Sequence, residues 1–249
     1  MKLGRFSSFH QPAQQIYKTP AVTVSAALSA TLILDLDAAN YSAVPVNGST
    51  IAGTGGYTVT VNNANGSMSW SSTAGGIFQK TSTNTADFMT FGPDYSSTSQ
   101  AYTVFMVYRT GATAGRLLNA NSASPDWLMG AWDAPANRQD IFFNGAFVGS
   151  SSTAADGTWR FGWMTYNGNS GSPSTLAYVA GSSQPSTTYG TRAGSGGFNG
   201  LRLFGRYSTA SASTEVGVFD VGLVKLYNGV LSLADIQSLW SSYRTRFGY

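Results

Sequence analysis

From Thr31 onward, apolar and polar residues alternate in short runs that end in turn-forming clusters. "TLILDLDA", "YTVTVN", "DFMTF", "YTVFMVYR", "WRFGWMTY", "LRLFGR" and "VGVFDVGLVKLYN" are rich in β-branched and aromatic residues, and clusters such as "NGST", "NNANG", "NGNSGSPS" and "RAGSGGFNG" separate such runs. This pattern predicts about a dozen short strands, packed as an antiparallel sandwich or jelly roll. No fixed repeat period is present, which argues against a propeller or β-helix. In "YTVFMVYR", Thr103, Phe105, Val107 and Arg109 alternate with Val104, Met106 and Tyr108. Both faces of that strand are largely apolar, so it belongs in the middle of a sheet whose second face is at least partly covered.

Two segments break the strand pattern. Residues 1–30 open with "MKLGRFSSFHQPAQQIYKTP" and show neither the strand nor the helix period. Such a segment cannot bury Phe6, Phe9 and Tyr17 by itself, so it is read as an extended arm whose three aromatics dock on a neighbouring protein. The other exception is the C-terminus. Ser232 is a good N-cap with Asp235 three residues on, and Leu233, Ile236, Leu239, Trp240 and Tyr243 follow at helical spacing. A helix over about 232–245 is predicted, with Arg244 and Arg246 complementing its C-terminus and Gly248 stopping it. A lone helix of that length is marginal in water, so it must dock, and an open end or edge of a sheet is the expected place.

Composition narrows the functional classes. Only 10% of residues are charged, while 42% are hydrophobic and 13% aromatic, so there is ample core and solubility rests on hydroxyls and amides. The net charge of +3 is small, and no basic run exceeds "YRTRF", which argues against phosphate-dominated nucleic-acid binding. Cysteine is absent, which removes disulfides, thiolate catalysis and cysteine-based zinc sites. No segment reaches the ~18 apolar residues that a bilayer span needs, and no membrane partner is expected.

Candidate chemistry is thin. Glycoside hydrolysis needs two carboxylates flanking the scissile bond, and the chain holds one glutamate, Glu215. The substitutes are Asp35 with Asp37, which share a strand face, and Glu215 with Asp220, which do not. Asp35 and Asp37 are read as turn caps or backbone ligands. The sole histidine, His10, lies in the arm, so neither a Ser-His-Asp triad nor a histidine metal site is expected. No calcium-loop spacing or phosphate-binding loop is present. No catalytic residue, metal site or cofactor is therefore expected. Trp159, Phe161 and Trp163 share one strand face and are expected in the core. Trp127 and Trp132 fall on opposite faces of "WLMGAW", so one of them is a candidate platform for a glycan or contact for a subunit.

The closing stretch "FDVGLVKLYNGVLSLADIQSLWSSYRTRFG" resembles the C-terminal signature of concanavalin A-like, laminin-G-like jelly-roll domains, with Phe219, Gly222, Tyr227, Asn228, Leu231, Ser232 and Ile236 at matching positions. "LILDLDAANYSA" is similar to the opening of versions of this domain borne by tailed phages, and "WRFGWMTYNGNSGSPSTLAYVAG" resembles a mid-domain strand pair, with Ala180 where the family usually has Asn. The final "RTRFGY" resembles the tail of phage virion proteins that carry the domain.

The resemblance covers residues 31–249. It implies an all-β, two-sheet antiparallel jelly-roll sandwich (concanavalin A-like) with one C-terminal α-helix, preceded by the extended N-terminal arm. It further implies a non-enzymatic protein on the virion surface. Such a protein would be a decoration or cement component, or another head, neck or tail component, with other virion proteins (major capsid, neck or tail) as partners through Phe6, Phe9 and Tyr17. The rival expectation is a carbohydrate-binding adhesin that recognises host glycans with the same fold. A homo-oligomer is compatible with either, and a fold of this kind does not select between them.

Overall fold

The computed structural model describes residues 28–52, 57–84, 86–95, 100–111, 115–121, 127–132, 138–143, 146–151, 157–168, 175–180, 190–192, 194, 196–205 and 216–249. Their strands are β1 (Thr31–Asp37), β2 (Thr50–Ala52), β3 (Thr58–Asn62), β4 (Met68–Ser71), β5 (Ile77–Lys80), β6 (Phe88–Tyr95), β7 (Tyr102–Thr110) and β8 (Gly115–Ala120). The series continues with β9 (Trp127–Trp132), β10 (Arg138–Phe143), β11 (Ala146–Ser151), β12 (Arg160–Tyr166), β13 (Thr175–Ala180), β14 (Gly190–Arg192), β15 (Phe198–Leu203) and β16 (Phe219–Asn228). One α-helix, α1 (Leu233–Tyr243), follows.

The strands form two antiparallel sheets, as the hydrophobic pattern predicts. The first runs β14-β13-β12-β7-β16-β5-β4, with β1 also paired to β16, and the second runs β11-β10-β9-β8-β15-β6-β3-β2. The inner faces meet in a core that includes Leu34, Leu36, Val104, Met106, Tyr108, Leu201, Leu203, Val224 and Leu226. The stretch "DIFFNGAFVG" lies across two strands, β10 and β11, paired as a hairpin.

A second apolar cluster lies on the outer face of the first sheet. Phe105, Val107, Phe161, Trp163, Leu223 and Tyr227 point outward there and are met by Ile236, Leu239, Trp240 and Phe247. This explains why β7 is apolar on both faces. It also corrects one expectation: α1 covers the middle of a sheet face and not an edge. An eleven-residue helix gains most where its whole apolar stripe lies flat on a broad aromatic surface. Trp240 stacks on Phe161 with ring centroids 4.5 Å apart.

The helix start is as the sequence predicts. The Ser232 hydroxyl accepts from the Asp235 amide at 3.2 Å, and the Asp235 carboxylate accepts from the Ser232 amide at 3.0 Å. Ser29 also donates to Asp235, tying the residues before β1 to the helix.

The tail departs from expectation. Residues Arg244–Phe247 form a 3-10 turn ended by Gly248 at φ +87°. Arg246 does not serve the helix end. It bonds Asp37 Oδ1, the carbonyl of Ala74 and the carbonyl of Gly76, each at 2.6 Å. Phe247 lies against Gly222, where any Cβ would collide with the ring. Gly222 and the Phe of the tail, which carry the resemblance from distant places in the chain, are thus one contact.

Candidate ligand-binding site

Beyond the region that α1 and the tail cover, the outer face of the first sheet becomes polar. Gln79 on β5, Asp220 on β16 and Arg109 on β7 are direct cross-strand partners and form one row. Ser69 on β4 continues it. On β7 and β5 the outward positions change from apolar to polar at this row: Phe105 and Val107 precede Arg109, and Ile77 precedes Gln79. Neighbouring strands lie about 4.8 Å apart, so the row spans a width suited to a small ligand.

The row is held rigidly. Arg109 Nε donates to Asp220 Oδ2 at 2.6 Å, and Gln79 Nε2 donates to Asp220 Oδ1 at 3.0 Å. The Arg109 guanidinium lies over the Trp159 ring, 5.0 Å from its centroid. Trp159 is fixed in turn by the tail: Phe247 packs on it at 4.7 Å, and the Tyr249 hydroxyl donates to its carbonyl at 2.6 Å. With Nε engaged, the two terminal amino groups of Arg109 make no hydrogen bond among the described residues. The Arg109 side chain is 33% exposed and that of Asp220 16%. They border a cleft of about 250 Å³, lined also by Thr110, Gly111, Gly157 and Val218. It offers fixed donors and acceptors beside a small apolar wall.

The residues singled out by sequence fare differently. Trp127 is fully buried in the inter-sheet core, packed against Tyr102 and Phe198, so it presents no face to a sugar or a subunit. That candidate is corrected: on this strand Trp127 takes the inward position, and the core needs its volume. Trp132 ends β9, and its side chain lies outside the described residues. Phe6, Phe9 and Tyr17 lie outside them as well, as do His10 and Glu215. Trp159, Phe161 and Trp163 are buried, under the helix and tail. Asp35 and Asp37 are committed elsewhere: Asp35 to Lys225 at 2.6 Å, and Asp37 to Arg246 and to the Ala39 amide.

One buried polar cluster escapes a sequence reading. Lys80, 1% exposed, donates to Ser67 Oγ, the Asn84 carbonyl and the Asp87 carbonyl at 2.6–2.8 Å. Asp87 accepts from the Ser67 amide and hydroxyl and from Asn65. Burial pushes the Lys80 ammonium down to about 8, against the pull of Asp87. A serine beside a lysine invites comparison with a nucleophile and its base. Here, however, all three N–H donors of Lys80 are used and the Ser67 hydroxyl donates to Asp87, so these bonds close a loop and do not pair a nucleophile with a free base. Among the described residues no group of three or more His, Cys, Asp or Glu side chains is placed to hold a metal ion. No helix among them is long and apolar enough to cross a membrane.

No protein-family model matches the chain, and no curated protein matches its sequence. Solved structures do match. The Trypanosoma rangeli sialidase solved with sialic acid superposes with a TM-score of 0.61 at 14% identity, over 88% of this chain and 34% of the sialidase chain. Domain 4 of an extracellular arabinanase from Geobacillus stearothermophilus, solved with arabinotriose, gives 0.51 at 13% identity over 84% of this chain and 98% of that domain. The binding domain of Paraclostridial Mosquitocidal Protein 1 gives 0.57 at 10% identity over 86% and 52%. The fold is a β-sandwich of jelly-roll type. This chain spans about a third of the sialidase's length, and at such identities the likeness speaks for fold alone. These neighbours are two glycoside hydrolases and the binding domain of a mosquitocidal protein. The expectation of a virion decoration or cement protein is overturned on that finding, and the fold-level resemblance is what survives.

Proposed function

We propose that this chain is a carbohydrate-binding module and that the cleft beside Trp159 receives the sugar. The observation that carries the proposal is the cross-strand row Gln79–Asp220–Arg109, pinned before any ligand arrives and left with open donors on Arg109. Sugar hydroxyls both donate and accept, so they pair with fixed donors such as a guanidinium and fixed acceptors such as a carboxylate, and a prearranged set loses little entropy on binding. Support comes from the neighbours, among them a whole arabinanase domain solved with arabinotriose and a sialidase solved with sialic acid. The described lining favours binding over hydrolysis. Among its described lining residues the cleft holds one carboxylate, Asp220, bonded through both oxygens, whereas most glycoside hydrolases use a pair of carboxylates.

The test is retention on a glycan array followed by calorimetric titration of the glycans retained. Arg109→Ala and Asp220→Ala are expected to weaken binding at least about tenfold, the cost of one or more lost charge-assisted hydrogen bonds. Retention of every array glycan by both variants at wild-type affinity would place the site elsewhere.

A further inference from the structure

Resting on the glycan reading of this cleft, we infer that its ligand is a neutral sugar bearing adjacent hydroxyls, and that Asp220 excludes acidic ones. A guanidinium with free amino groups suggests at first a site for sialic or uronic acid. The geometry opposes that. The charge of Arg109 is matched in the free protein by Asp220, 2.6 Å from Nε, so the pair presents no net positive charge. The cations nearby in the ladder, Lys80 beside Phe219 and Arg160 beside Tyr108, are 1% and 4% exposed and supply no surface charge to the cleft. A ligand carboxylate that reached the Arg109 amino groups would sit next to the Asp220 carboxylate, which Gln79 and Arg109 hold in place. Like charges at that range in a partly desolvated cleft repel strongly.

Two neighbouring hydroxyls suit the same groups. One donates to an Asp220 oxygen and the next accepts from an Arg109 amino group, so donor and acceptor are paired in the order in which the row presents them. Trp159 orients the guanidinium and does not stack on the ligand. It is 8% exposed, with Arg109 on its ring and Phe247 packed against it. Selectivity therefore lies in the charge pair, with Asp220 as its specificity-determining residue.

The experiment titrates the full chain with matched pairs, lactose against 3′-sialyllactose and galactobiose against digalacturonate, at low and at physiological salt. The expected result is binding of a neutral member, its acidic partner at least about tenfold weaker, and little effect of salt on the neutral ligand. Asp220→Asn keeps the shape and leaves Arg109 unpaired, so it is expected to narrow or reverse the preference; Arg109→Lys, which loses the fork, guards against a folding defect in the first variant. Preference of the wild type for the acidic members would overturn the inference and leave the glycan proposal standing. Unchanged selectivity in a folded Asp220→Asn protein would do the same. Failure of the wild type to bind any of the four would count against both.

Discussion

If α1 is a docked cover, Trp240 is where it is most easily undone. Its side chain is fully buried, stacked on Phe161 at 4.5 Å and close to Tyr249 at 5.7 Å. Truncation of such a residue to alanine costs about 3–5 kcal/mol through lost transfer energy and the cavity left behind. That is a large share of the 5–15 kcal/mol by which domains are typically stable. The Trp240 indole N–H, however, is buried without a hydrogen-bond partner. An unsatisfied donor of that kind costs about 1–3 kcal/mol. Trp240→Phe removes the orphan donor and keeps an aromatic ring on Phe161, so its lost volume is largely offset and it should lie within about 1 kcal/mol of wild type. The assay is equilibrium urea unfolding followed by tryptophan fluorescence and circular dichroism, with stability read from the midpoint at constant slope. An alanine variant within about 0.5 kcal/mol of wild type would refute the docking of α1 on this face. A phenylalanine variant as damaged as the alanine one would refute the claim about the orphan N–H.

Other consequences follow from the same contacts. Gly222→Ala should destabilise by about 1–3 kcal/mol, because its Cβ would occupy the place of the Phe247 ring; thermal unfolding measures this, and Phe247→Ala in the same background should cost less than it does alone. Arg246→Ala leaves Asp37 and the carbonyls of Ala74 and Gly76 without their shared donor, and should cost about 2–4 kcal/mol in urea unfolding, with little rescue by lysine, which cannot fork. Stability should fall on acidification below about pH 4. Burial opposes ionisation of Asp87 and Asp235, but hydrogen bonds from Ser67 and Asn65 to the one, and from Ser29 and Ser232 to the other, outweigh it and hold both carboxyls below the ordinary aspartate range, so the unfolded chain takes up protons first. On the alkaline side, folded Lys80 releases its proton near 8 and the unfolded lysine near 10.5, so stability should rise between those values. It should then fall above about 10, because burial, aided by Tyr57, keeps Tyr95 protonated to about 12 when folded. Chemical denaturation at stepped pH reads all three limbs, and Lys80→Met should abolish the rise.

Much of the fold is legible in the residues themselves, because strand alternation and capping are local. The double apolar face of "YTVFMVYR" requires two layers of cover, and the structure supplies both, the second sheet and α1. Ser232 and Asp235 define the helix start through a hydrogen-bonding geometry that four consecutive residues complete by themselves. The site is another matter. Arg109 and Asp220 are separated by 111 residues and Gln79 and Asp220 by 141, and nothing local to any of them announces the others. Which strand lies beside which, and in what register, is decided by how two whole sheets close over a shared core. Trp127 shows the same limit from the other side. Alternation places it opposite Trp132, but only the packed sandwich decides which of the two faces turns inward. Most of the strands, the helix and its cap follow from neighbouring residues, but where the helix lies, what Arg246 holds and which three polar residues form a row depend on contacts between segments that the chain order does not bring together.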